Sequence, residues 1–221
     1  MGSLDSATTG VATNAADNTT QETTLATIRS VSGDCDNSNV STVPKLSAYT
    51  SSSTFNAPAG CTSVKVQCWG GGGSAGGSSD EWSSSGMRSH AGHGGGGGAY
   101  SLKLVSVSAT GQTFSVTVAG AGGTSSFIGG GVNMSAGGGS NGQGTGNVNS
   151  QGAGGTASGG DVNISGSGGA TGGKGGGGAP FGGAGGPVGC AGCFPGGGGG
   201  CNIRSNYTGH AGAAGFIIVE W

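Results

Sequence analysis

Residues 55–73 read FNAPAGCTSVKVQCWGGGG, and this stretch decides the fold. Val64, Val66 and Cys68 alternate with Lys65, Gln67 and Trp69, which is the period of a half-buried strand. Four glycines follow without a break. A strand needs side chains to bury, and a polyglycine run has none, so the chain must switch at Trp69 to packing of another kind. Ala57-Pro58-Ala59-Gly60 turns the chain into the strand.

The same strand-then-glycine grammar recurs downstream. Residues 99–107 form a second strand after the run at 94–98, with Tyr100, Leu102 and Leu104 on one face. A turn over residues 109–112 leads to Phe114, Val116 and Val118, and these two segments are expected to pair as a hairpin. Val162 and Ile164 make a short strand. The closing residues 216–221, FIIVEW, are apolar on both faces, which predicts a central strand that closes a small sheet with the opening one.

The chain has 221 residues and 58 glycines, and all but Gly2, Gly10 and Gly33 lie from Gly60 onward. Collagen is excluded, because the runs at 70–73, 94–98, 175–178 and 196–200 break any Gly-X-Y period and only 5 prolines are present. Punctuation by good strand sequence argues against a disordered linker. What remains is a bundle of extended three-residue-per-turn helices, the glycine relative of polyproline II. Such helices lack internal hydrogen bonds, so neighbours must supply them, and the absence of Cβ atoms permits the approach.

Charge is sparse, with a net −2. No basic patch exists, which speaks against nucleic-acid binding. No apolar run is long enough to span a membrane. The N-terminus has neither the basic nor the apolar region of a secretory signal, so a place outside the cell would need another route, of which assembly into a particle released by lysis is one.

Residues 1–50 differ in composition, being rich in Thr, Asn, Ala and Ser. Residues 14–30 can form a short helix with Ala15, Leu25 and Ile28 as a thin apolar stripe, too poor to fold alone. Residues 34–49 read as a linker with a turn at Pro44. The reading is therefore an anchor over 1–50 and a glycine-rich domain over 54–221. The fold class is mainly β and irregular: a small sheet base carrying packed polyglycine helices, behind a helical or extended N-terminal anchor.

Four features in this order carry a resemblance. They are the opening stretch above, the segment GGGGGAYSLKLVSVSATGQTFSVTVAGAGG, the tract GGDVNISGSGGATGGKGGGGAPFGGAGG, and the closing GHAGAAGFIIVEW. Together they resemble the glycine-rich domain at the ends of bacteriophage tail fibres and adhesins. That resemblance implies a β-strand base, packed polyglycine helices, and variable loops at the far end that touch the host surface. It implies a virion location, docking to the tail or head through residues 1–50, and a bacterial outer-membrane protein or polysaccharide as receptor. A homotrimer and a monomer carried on another fibre both fit. A head fibre or decoration protein with a structural role is the alternative.

Segments between glycine runs are the candidate receptor contacts. Residues 78–93 concentrate Asp80, Glu81, Trp82, Arg88, His90 and His93 in a chain that otherwise avoids charge. An aromatic plate beside directional hydrogen-bonding groups suits a sugar or a protein loop. The segment 190–210 offers Phe194, Arg204 and Tyr207, and 124–134 offers Phe127 with Ile128. For the last, a plug covering the sheet is the plainer reading.

His90-x-x-His93 and Cys190-x-x-Cys193, with Cys201 and His210, have zinc-like spacing. Both motifs are short and stand far apart in sequence, so no metal or other cofactor is assigned. Disulfides among Cys190, Cys193 and Cys201 and simple buried thiols, above all at Cys68, both remain open. Catalysis finds no support. No paired carboxylates stand at a useful spacing, and the histidines lie in glycine-rich loops that cannot hold a base in place. The chain is read as a binding protein, not an enzyme.

Overall fold

The computed structural model describes residues 45–144, 150–202 and 208–221, and for Glu81, Trp82, Ser83, Arg88 and Ser89 the backbone alone. Residues 1–44 of the expected N-terminal anchor, its helix over 14–30 included, lie outside the described residues. The described part is mainly β and contains no α-helix.

Two five-stranded antiparallel sheets face one another. In the first, β1 (Leu46–Tyr49), β12 (Phe216–Glu220), β3 (Ser63–Trp69), β6 (Tyr100–Ser106) and β11 (Val162–Ile164) lie side by side in that order. In the second, the order is β10 (Ala157–Ser158), β9 (Val132–Ala136), β8 (Ser125–Gly129), β7 (Thr113–Thr117) and β2 (Ser53–Asn56). A separate hairpin pairs β4 (Ser79–Ser83) with β5 (Gly86–His90).

The closing strand is central, as its two apolar faces predict, with β1 and β3 on either side. The linker reading of residues 34–49 gives way at its end. Leu46–Tyr49 pair with β12 as an edge strand, and the compact unit begins at Lys45.

The expected hairpin between residues 99–107 and 114–118 does not form. β6 pairs with β3 and β11, whereas β7 pairs with β2 and β8. The turn at 109–112 is closed by Gln112 N–H on the Ala109 carbonyl at 3.2 Å, with Gly111 at φ 75°. It carries the chain from one sheet to the other. Val105 and Val107 then face Phe114 and Val116 across the core instead of lying beside them. Alternation is the same in both arrangements, so the sequence does not separate them.

The core lies between the sheets. Val64, Val66 and Cys68 of β3 and Ile217 and Val219 of β12 come from one side. Phe55, Phe114, Phe127 and Met134 come from the other. Phe114 and Phe127 stack at 4.7 Å, and Phe55 packs on Trp221 at 5.3 Å. Each buried ring contributes roughly 2–3 kcal/mol by area. On β6 the core face is Val105 with Val107 beyond it, so Tyr100, Leu102 and Leu104 share the other face of the sheet.

Beyond Trp69 the order changes. The N–H groups of Gly70, Gly73 and Gly76 donate to the carbonyls of Ala99, Gly96 and His93, at 3.0, 2.8 and 2.8 Å. Those of Gly72 and Ala75 donate to Ala213 and His210, both at 2.8 Å. Every third residue thus returns to the same neighbour. Residues 93–99 are enclosed by such contacts. They donate to 137–143, 167–170 and 196–199, and accept from 70–76, 152–155 and Gly177. This satisfies backbone groups that would otherwise be buried without partners. It also demands glycine: a Cβ on Gly97 would overlap the Gly178 carbonyl, and one on Gly98 that of Gly70.

Candidate functional site

The hydrogen-bonded tracts fix where the variable segments stand. Residues 70–77 leave the first sheet at Trp69, and residues 91–99 return to it at Tyr100. The Gly76 N–H donates to the His93 carbonyl at the foot of the β4–β5 hairpin, so the hairpin caps the end remote from the sheets. Its register sets Asp80 opposite Ser89, Glu81 opposite Arg88 and Trp82 opposite Met87. Gly86 turns the hairpin at φ 111°, and Met87 is exposed.

Other turns meet the same end. The Gly173 N–H donates to the Gly92 carbonyl at 3.0 Å, and the Gly172 N–H reaches His93 Nδ1 at 3.4 Å. His93 therefore accepts a backbone hydrogen bond and steadies the turn that precedes Lys174. The Lys174 carbonyl accepts from Cys201 Sγ at 2.7 Å, and the Cys201 carbonyl accepts from Gly189 N–H at 2.9 Å. The hairpin base, the 172–174 turn and the 187–190 turn are thus linked through backbone bonds into one surface.

Of the expected contact residues, Asp80, His90 and His93 stand at this end, as do the backbones of Glu81, Trp82 and Arg88. Asp80 keeps Oδ1 buried with no hydrogen-bond partner. Arg204 and Tyr207 lie outside the described residues.

Phe127 does not belong to a contact surface. It is fully buried in β8 against Phe114, and residues 124–134 are a core hairpin, not a loop. Gly130 and Gly131 at φ 55° and 81° make its two-residue turn. The glycine and serine around Phe127 imitate a loop in sequence, and the plainer reading as an apolar cover holds. Phe194 is exposed but sits at the sheet end, edge-on to Phe216 at 5.2 Å. The described part of the segment 190–210 is therefore not a single tip.

Met87, Lys174 and Val188 at the remote end escaped the sequence reading. Val188 follows a Gly-Gly-Pro turn signal at 185–187, which could have located it.

The five described cysteines are free thiols. Cys190 and Cys193 are exposed, and Cys201 is buried, with burial raising its pKa. Among the described residues no three His, Cys, Asp or Glu side chains converge as a metal site requires. No protein-family model matches the chain, and no curated protein matches it.

Proposed function

We propose that this chain is a phage virion protein of the tail-fibre or adhesin type, whose remote loops recognise a bacterial surface receptor. The observation that carries the reading is the placement of the β4–β5 hairpin beyond the glycine tracts. The most charge-dense segment of the glycine-rich domain stands at one end, with backbone hydrogen bonds at its base. The period-three hydrogen bonding supports reading the tracts as polyglycine II helices. At about 3 Å per residue, residues 70–77 would carry the hairpin about 25 Å from the sheet.

The mechanism is rigid display. A scaffold whose packing resides in its backbone lets loop side chains vary without disturbing it. Rigidity lowers the entropy lost on binding, and several copies per particle convert weak contacts into firm attachment. The activity is binding, without a catalytic step or cofactor. Residues 1–44, which precede β1, are the proposed attachment to other virion proteins, in the tail or on the head.

The test is binding of the full-length protein to intact host cells and to receptor-deficient cells. Saturable binding to the host alone, lost on Trp82→Ala in a variant that melts like wild type, is the expected result. Absence of selective binding would overturn the adhesin reading in favour of a structural fibre or decoration protein.

A further inference from the structure

The outer face of the first sheet carries an apolar strip beside Lys65, Gln67 and Glu220, although the second sheet covers only the inner face. Register sets Phe216 beside Trp69 and Trp69 beside Tyr100, with Leu102 next to Val162 on the following row. Trp69 and Tyr100 pack at 5.0 Å. An antiparallel sheet with one solvated face ordinarily places polar residues there. Trp69 and Tyr100 are themselves buried, with the Phe181 turn packed against them, while Phe181, Val162 and Leu104 are exposed around them. Exposed apolar surface grouped in this way marks a place of interaction.

One residue is held over this face against its own preference. Phe181 stands edge-on to Tyr100 at 5.1 Å, is 77% exposed, and has φ 49°. Its turn is closed by Gly182 N–H on the Ala179 carbonyl at 3.2 Å. Pro180 precedes it, and Trp69 Nε1 donates to the Pro180 carbonyl at 2.9 Å, pinning the turn to the sheet. Such a turn prefers glycine where Phe181 sits. In a chain with glycine at hand on the next residue, a strained, exposed phenylalanine has no evident structural purpose, and strain of this kind clusters at functional sites.

Phe181, Trp69, Tyr100, Leu102, Val162 and Gln67 line an open groove of about 410 Å³. That is within the usual size range of small-ligand sites. Its polar side is already oriented. The Tyr100 hydroxyl donates to Gln67 Oε1 at 2.9 Å, and Gln67 Nε2 donates to Glu220 Oε1 at 3.1 Å. Lys65 Nζ in turn holds Glu220 Oε2 at 2.8 Å. After these bonds Gln67 retains one N–H, and the Tyr100 oxygen can still accept.

We infer that this groove binds a saccharide unit, with a pyranose ring stacked on the exposed Phe181 ring and its hydroxyls on Gln67 and the Tyr100 oxygen. A pyranose presents an apolar C–H face and a hydroxyl edge, which match the two sides of the groove. A hydrocarbon would leave the remaining Gln67 N–H and the remaining acceptor position of the Tyr100 oxygen without a partner. An ionic ligand would meet a Glu220 carboxylate already neutralised by Lys65. The site lies at the sheet end and does not depend on the receptor role proposed for the remote hairpin.

The experiment is titration of the full-length protein with free glucose, galactose, mannose and N-acetylglucosamine, and with an array of bacterial surface glycans. The key variant is Phe181→Gly, which suits the observed φ and should melt at or above the wild-type temperature. Wild-type binding that weakens by about tenfold or more in Phe181→Gly, the loss expected for one stacked ring, is the predicted outcome. It should weaken likewise in Gln67→Leu and persist in a variant whose 79–90 hairpin is replaced by Gly-Ser. No binding at millimolar sugar, or equal binding by Phe181→Gly, would overturn the assignment. So would an oligomer that dissociates in Phe181→Gly without any sugar response, because the face would then pack against a second copy.

Discussion

The backbone N–H of Gly177 donates to the carbonyl of Gly95 at 2.8 Å, although the two residues are remote in sequence. A Cβ on Gly177 would overlap the carbonyl oxygen of Ser167, and backbone cannot swing aside as a side chain can. Gly177→Ala is therefore expected to lose about 3 kcal/mol or more, at the upper end of overpacking effects. Gly120 provides the control, since a Cβ there meets nothing within 4 Å. Gly120→Ala should leave stability unchanged or raise it by up to about 1 kcal/mol. Chemical denaturation of both variants measures the difference, and equal midpoints would refute close backbone packing.

Phe127→Ala should destabilise the protein by about 3–5 kcal/mol, because it empties a fully buried site stacked on Phe114. A surface contact residue would change stability by no more than about 0.5 kcal/mol. Urea unfolding separates the two cases.

The thiols should divide by position. Burial pushes the Cys68 pKa up to about 12, so near neutral pH it holds almost no thiolate. Alkylation followed by mass spectrometry should label Cys190 and Cys193 in the folded protein and Cys68 only after unfolding. The linkage has a definite sign. The unfolded thiol ionises near 9.0 and the folded one near 12, so its contribution is intact below pH 9 and fades as pH rises between those values. Rapid labelling of Cys68 at neutral pH would contradict its burial.

Asp161 should mark the acid side. Its carboxylate accepts from the Leu104 N–H at 2.9 Å and from Lys103 Nζ at 3.1 Å. These bonds, the backbone one foremost, lower its pKa below the usual 3.8. A lowered folded pKa means the contribution is present above 3.8 and lost as pH falls through the folded value. Asp161→Asn should have a lower melting temperature than wild type at neutral pH, and the two should converge below about pH 4. A constant gap across that range would exclude this carboxylate as the source.

Legibility followed the range of the interactions. β3 was readable because Val64, Val66 and Cys68 alternate within one short segment. β12 was readable as central because Phe216, Ile217, Ile218 and Val219 leave no polar face. The destination of β6 and β7 was not readable, since a hairpin and a crossover between sheets require the same alternation. Phe127 was misplaced because glycine and serine surround it, and only the facing sheet supplies its partner Phe114. β1 was hidden because Leu46–Tyr49 carry no strong pattern and gain their order from β12.

The sequence by itself determined that this protein is β-rich, that β3 ends and β6 begins beside a glycine run, and that charge gathers in residues 78–93. These are properties of composition and short-range period, which a linear chain carries openly. The tertiary structure alone decided which strands share a sheet, which aromatic residues are core, and that Trp69, Tyr100 and Phe181 meet over one groove. Those outcomes depend on register and on backbone hydrogen bonds between tracts far apart in the chain. Glycine, having no side chain, leaves no mark in the sequence of which neighbour it will meet.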